Sequence, residues 1–97
     1  DRNGFQASAA VDRILPLDPL EEKWRSFGWN TRVIDGHDID AILTTLEGFP
    51  AEEGPTVVIV DTVKGKGVPS VEGRARAHFT TLTDDEVKEA LTALEGN

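Results

Sequence analysis

The sequence predicts an α/β domain, a parallel sheet with flanking helices. Two observations predict it. Val57-Val58-Ile59-Val60 is a continuous apolar run rather than an alternating one, which is how a strand buried on both faces of a parallel sheet reads. A second short strand and a helical period precede it. Strand, helix and strand within about thirty residues make a βαβ unit, whose crossover is expected to be right-handed. The 97 residues suit one small domain, near the lower end of what buries a self-sufficient core.

The elements follow in order. Asp1 to Gln6 holds the turn dipeptide Asn3-Gly4, and residues 7–17 lack a strong period and read as a surface loop. Asp18-Pro19-Leu20-Glu21 reads as a helix start, with Asp18 as cap, Pro19 at the first helical position and Glu21 closing a capping box. Leu20, Trp24 and Phe27 then share one apolar face, expected to pack in the core, and Gly28 closes the helix. Trp29 to Asp35 reads as a strand. Asp38 caps a second helix with Ile39, Ile42, Leu43 and Leu46 on its apolar face, stopped by Gly48 and Pro50. Residues 50–55 read as a polar loop before the Val57–Val60 strand. Val63 to Val68 is a glycine-rich loop, and residues 69–80 look irregular. Thr83 and Glu86 form a capping box opening a last helix, with Val87, Ala90, Leu91 and Leu94 on one face.

Ligands of open parallel sheets bind outside the carboxyl ends of the strands. Two specialised loops leave such ends, Asp35–Asp38 and Lys64–Gly67. Asp1–Gln6 would be a third if a strand precedes it, and all three would then line one edge. Asp1 and Asn3 carry oxygens at a spacing that suits a hard cation, or they are simply a terminal turn. Lys64-Gly65-Lys66-Gly67 lacks the spacing of a phosphate-binding P-loop, so its lysines meet either an anion or water. His37 reads as a local hydrogen-bonding residue. His78 sits in the basic stretch Arg74-Ala75-Arg76-Ala77-His78, which suits either an anionic ligand or a solvated loop.

Charge and composition exclude several classes. Ten basic residues against 18 acidic ones give a net charge of −8, which argues against nucleic acid and anionic membrane as partners. There is no cysteine, hence no disulfide framework and no thiolate metal site. No apolar run is long enough to span a membrane and no signal-peptide pattern is visible, so a soluble, cytoplasmic protein is expected. The chain does not open on methionine, which suggests a processed chain or part of something longer.

Pro19, Leu20, Lys23, Trp24, Phe27, Gly28 and Trp29, followed by Asp35-Gly36-His37-Asp38, resemble transketolase. So does Thr62-Val63-Lys64-Gly65-Lys66-Gly67-Val68. The likeness covers nearly the whole chain and is nearest to the short N-terminal subunits of split bacterial transketolases. It implies that residues 1–97 are the C-terminal portion of a thiamine-diphosphate-binding domain. In that family a Gly-Asp-Gly motif opens the diphosphate and metal site and a later asparagine closes it. Asp1-Arg2-Asn3 resembles the closing end, while Gly-Asp-Gly is absent from this sequence.

The resemblance implies that Asn3 binds Mg²⁺ through its side-chain oxygen and Phe5 through its backbone carbonyl. Lys64 is similar to a lysine that faces the active site. His78, fourteen residues later, stands where the family has an active-site histidine near the diphosphate and the substrate. Its neighbours here are Ala77 and Phe79, not the family's Trp and Gly. The implied activity is transfer of a two-carbon ketol unit from a ketose, a small-molecule substrate, to an acceptor. This chain would anchor thiamine diphosphate and Mg²⁺ and be active only with partner chains. One would bring Gly-Asp-Gly, the other the pyrimidine-binding domain, and such a partner would cover the sheet edge left unpaired. Two alternatives stay open: another thiamine diphosphate enzyme (a deoxyxylulose-phosphate synthase or a 2-oxo acid dehydrogenase E1 component), or a non-catalytic assembly subunit that keeps the fold.

Overall fold

The computed structural model describes residues 1–49 and 52–96. In chain order the elements are β1 (Phe5–Gln6), β2 (Ala9–Ala10), α1 (Val11–Ile14), α2 (Leu20–Ser26), β3 (Asn30–Asp35), α3 (Ile39–Glu47), β4 (Thr56–Asp61), a 3₁₀ turn (Ala75–His78) and α4 (Asp84–Glu95). The chain forms two compact units. One comprises Asp1–Arg2 and Leu17–Thr62, the other Asn3–Pro16 and the chain from Val63 on.

The first unit is the expected βαβ. β3 and β4 pair in parallel from Asn30 opposite Thr56 to Asp35 opposite Asp61. Arg2 adds a single parallel bridge to Asp61, with its N–H donating to the Val60 carbonyl at 2.8 Å. The segment carrying Asp1 and Arg2 therefore runs alongside β4 at its carboxyl end. The apolar run of β4 centres on Ile59, which is buried. Trp24 on α2 meets Trp29 edge-on, with ring centroids 4.8 Å apart. Gly28, at φ 87, takes the left-handed turn that ends α2 and leads into β3. Asp38 caps α3 as expected, its carboxylate accepting the Ala41 N–H at 3.0 Å. Pro50 and the start of the 50–55 loop lie outside the described residues.

Three expectations for this unit are corrected. Asp18 does not cap α2 and no capping box forms there. The residue before the helix is Pro19, without a side-chain cap bond. The carboxylates of Asp18 and Glu21 turn instead to the guanidinium of Arg2, at 3.7 and 3.2 Å. Trp24 is half-buried, but Phe27 is 82% exposed rather than in the core. α3 turns Ala41, Ile42 and Thr45 inward and leaves Ile39, Leu43 and Leu46 exposed. Periodicity fixes that a helix has an apolar face, not what covers that face.

The second unit differs more from expectation. The stretch read as a loop over 7–17 holds a hairpin and a helical turn. Phe5 pairs with Ala10 and Gln6 with Ala9 in antiparallel register, and α1 follows directly. Ala7, at φ 48, takes a turn conformation that sequence patterns assign to Gly or Asn. The segment from Val63 to Gly73 folds back on itself. Gly73 N–H donates to the Lys64 carbonyl at 2.7 Å, and Val68 N–H to Gly65 at 3.1 Å. A Cβ on Gly65 would stand 3.1 Å from the carbonyl oxygen of buried Val71, which is why this turn needs glycine. The rest of the stretch read as irregular contains the 3₁₀ turn.

The capping box of α4 is present in both directions. Thr83 Oγ1 accepts the Glu86 N–H at 3.3 Å and a Glu86 carboxylate oxygen accepts the Thr83 N–H at 2.9 Å. Of the expected apolar face only Ala90 is buried. Val87, Leu91 and Leu94 are exposed, while half-buried Glu86 and Ala93 share the inward side. Thr83→Ala removes the cap acceptor and is expected to lower stability by about 1 kcal/mol. Urea unfolding with an unchanged m-value would check it.

Candidate functional site

Along the carboxyl end of the first unit's sheet, Arg2, Asp61 and Asp35 stand in one row by register. The Arg2 guanidinium grips Asp61 through two nitrogens, Nε to Oδ1 and Nη2 to Oδ2, the latter at 3.0 Å. Its Nη1 donates to Glu21 at 3.2 Å. Thr62 Oγ1 donates to Asp1 Oδ1 at 2.9 Å. Gly36 N–H donates to the Asp61 carbonyl at 2.7 Å, and Asp35 accepts the His37 N–H at 2.8 Å. Gly36 has no room for a side chain: a Cβ would come within 2.5 Å of Val60 and Thr62 methyl groups. Asp35-Gly36-His37-Asp38 is thus a tight turn, pinned to β4, that starts α3.

This network carries the clearest electrostatics in the molecule. Hydrogen bonding from Arg2 holds the Asp61 carboxyl below its ordinary value. Its own backbone N–H, and then Arg2, do the same for Glu21. Bonding to Asp61 raises the Arg2 guanidinium further, so it stays charged at every working pH. A carboxylate depressed in the folded state adds stability above its unfolded value and loses it as pH falls through the folded one. The contribution of Asp61 is therefore expected to fade below about pH 4. Asp61→Asn should flatten that acid limb. At neutral pH it should cost under about 1 kcal/mol, because the side chain is half exposed. Thermal unfolding from pH 3 to 7 would show both effects.

The four residues singled out from the sequence, Asn3, Phe5, Lys64 and His78, all belong to the second unit. Two of them are brought together. Asn3 Oδ1 accepts the Phe5 N–H at 3.0 Å, closing a turn between strand entry and β1. Val11 N–H donates to Gly4 O at 2.9 Å. By the alternation of an antiparallel ladder, the N–H and C=O of Phe5 then face away from β2. The Asn3 amide and the Phe5 carbonyl lie on that same outer edge. An amide oxygen has two lone pairs, so accepting the Phe5 N–H does not bar it from a cation. Two neutral oxygens on one edge suit a hard ion that takes its other ligands elsewhere. No group of three His, Cys, Asp or Glu capable of holding a metal exists among the described residues.

Lys64 is half-buried, and its carbonyl closes the loop to Gly73. His78 ends the 3₁₀ turn, exposed, with its ring edge-on to Phe79 at 4.6 Å. The side chains of Lys64 and His78 make no hydrogen bond to each other. Two features escape a reading of the sequence. The Arg2 network has no signal, because its partners Asp18, Glu21 and Asp61 are far from it in sequence. The capping box marks Glu86, but nothing marks its ion pair with Arg76 at 3.1 Å. Among the described residues no helix is long and apolar enough to cross a membrane.

Comparison with known proteins agrees with this fold. The transketolase thiamine diphosphate binding domain matches residues 1–96. The 6-deoxy-6-sulfo-D-fructose transketolase subunit of a Clostridium species is 40% identical over 96 residues, covering 98% of this chain and 35% of that protein. An apulose-4-phosphate transketolase subunit from Actinobacillus succinogenes is 38% identical over 95 residues, covering 98% and 34%. The chain thus spans about a third of the length of these relatives. The crystal structure of transketolase from Campylobacter jejuni superposes with a TM-score of 0.85 at 24% identity, over 96% of this chain and 15% of that one, and shows the same fold. The chain belongs to the transketolase thiamine diphosphate binding domain family.

Proposed function

We propose that residues 1–97 are the C-terminal portion of the thiamine-diphosphate-binding domain of a split, transketolase-like enzyme. That enzyme transfers a two-carbon ketol unit from a ketose to an acceptor. The observation that carries the reading is the pairing of Asn3 and Phe5 on the outer edge of the hairpin, in a chain of this family. Asn3 Oδ1 and the Phe5 carbonyl would supply two oxygens to Mg²⁺, with diphosphate oxygens and ligands from outside these 97 residues completing the shell. Thiamine diphosphate, when bound, supplies the electron sink for breaking and forming the carbon–carbon bond.

The chain's own residues bind and orient. Lys64, half-buried where its loop closes on Gly73, offers a cation to the anionic side of the ligand. His78 presents an exposed imidazole able to donate or accept a hydrogen bond. Gly-Asp-Gly would come from outside these 97 residues, and a partner chain would bring the pyrimidine-binding domain. Two of the relatives carry the word subunit in their names, which supports such an assembly. The stripes of Ile39, Leu43 and Leu46 on α3 and of Val87, Leu91 and Leu94 on α4 are apolar surfaces fit for such contacts.

The test is a ketol-transfer assay on the complete enzyme with thiamine diphosphate and Mg²⁺ against a panel of ketose donors. Turnover that needs both additions supports the reading. Binding of cofactor without turnover of any donor would favour a non-catalytic subunit, to which the changed surroundings of His78, with Phe79 84% exposed, give some weight.

A further inference from the structure

We infer that Arg76 is a positioning residue, whose guanidinium clamps the 3₁₀ turn to the start of α4 and so fixes the orientation of His78. The inference rests on the functional reading above, because it assigns His78 work at the cofactor.

The clamp is built from few atoms. Arg76 Nη2 lies 3.1 Å from Glu86 Oε1 and donates to Thr80 Oγ1, also at 3.1 Å. Arg76 and Thr80 stand two residues before and two after His78, so one nitrogen ties both flanks of the histidine. Glu86 is already immobilised, because its other oxygen accepts the Thr83 N–H in the capping box. An ordinary surface ion pair contributes little, since two loose side chains must be ordered to make it. Here one partner is fixed beforehand and half-buried, with 21% of its side chain exposed. The Thr83 backbone N–H, and then Arg76, hold the Glu86 carboxyl below its ordinary value, so it stays ionised near neutral pH.

His78 has no comparable anchor of its own. Its ring touches Phe79, which is itself exposed. Along the turn, half-buried Ala75 and Ala77 alternate with exposed Arg74, Arg76 and His78. Two alanine methyls fix which side faces inward but grip the backbone weakly. A group acting on a bound ligand must be held within about 0.5 Å of its working position. Of the side chains on this turn, only Arg76 makes an ion pair to another element.

The test uses diethyl pyrocarbonate on the complete enzyme, with and without thiamine diphosphate and Mg²⁺. The chain has two histidines, so the peptides of His37 and His78 report separately by mass. In the parent enzyme the cofactor is expected to slow modification of His78 severalfold. Arg76→Ala should lose most of that protection while cofactor binding, measured by equilibrium dialysis, persists. Glu86→Gln should lose it too, although glutamine preserves the capping box and hence the fold. Arg76→Lys, which keeps the charge but not the rigid guanidinium plane, should retain part of it. Full protection of His78 in both Arg76→Ala and Glu86→Gln would overturn the clamp. An unprotected His78 in a parent enzyme that does bind cofactor would overturn the placement of His78, and the clamp with it.

Discussion

Asn3→Ala is expected to weaken binding of thiamine diphosphate with Mg²⁺ to the complete enzyme by about 100-fold, the upper end of what loss of a metal-site support costs. Turnover should fall in step. The substitution removes the amide oxygen on the outer edge of the hairpin and also frees the Phe5 N–H that it holds. Those two losses can be separated. Asn3→Asp keeps an oxygen to accept that N–H and adds a charge suited to a hard cation, so it should retain most of the affinity. Asn3 is only half-buried and its side-chain bond to the Phe5 N–H is local, so stability should change by less than about 1 kcal/mol in either variant. Calorimetric titration of cofactor at fixed Mg²⁺, with a thermal melt as control, distinguishes a lost ligand from a lost fold. If Asn3→Ala bound as the parent does, the metal role of Asn3 would be wrong.

Ile59→Ala is expected to destabilise the protein by about 3 kcal/mol, within the range for truncating a buried isoleucine. Ile59 is 4% exposed at the centre of β4, and with Val71 and Ala90 it makes up the buried apolar set among the described residues. With so few buried side chains, little nearby can collapse into the space left behind. The neighbouring Val58→Ala, half-buried in the same strand, should cost clearly less. Urea unfolding of both variants would check the order, and equal losses would mean that Ile59 is no more central to the core than Val58. A loss of this size should also reduce folded yield, without changing the cofactor affinity of the molecules that do fold.

Local signals in the sequence hold where the responsible atoms lie within a few residues. Asp38 caps α3 and the Thr83–Glu86 box opens α4, because a cap is a three-residue interaction. The run of β-branched residues marks β4 and its parallel partner. The same logic fails at Asp18 and Glu21, where a guanidinium far away in sequence competes for both carboxylates. It fails again at the hairpin, since Ala7-Ser8 carries no turn signature and Ala9-Ala10 no strand preference. The apolar faces of α2, α3 and α4 are legible as amphipathic stripes, yet Phe27, Leu43 and Leu91 are exposed. A stripe records that something covers a helix in the working protein, not that the same segment of chain does.

The candidate site is legible to a different degree. The spacing of Asp1 and Asn3 only hints at a cation site and Phe5 stands out through resemblance alone; the hairpin register then sets the Asn3 and Phe5 oxygens on one edge, a relation that residue types alone do not give. Arg76 is visible only as one of several basic residues. Its pairing with Glu86 depends on how the 3₁₀ turn meets α4, which no pattern in either segment encodes.

The most direct measurement is calorimetric titration of thiamine diphosphate into the complete enzyme, first with Mg²⁺ and then with the metal removed by chelation. Saturable binding that disappears on chelation, and that Asn3→Ala weakens while leaving the melt unchanged, is the predicted result. Binding of equal strength without Mg²⁺, or unaffected by Asn3→Ala, would contradict the assignment of this chain to the metal and diphosphate site.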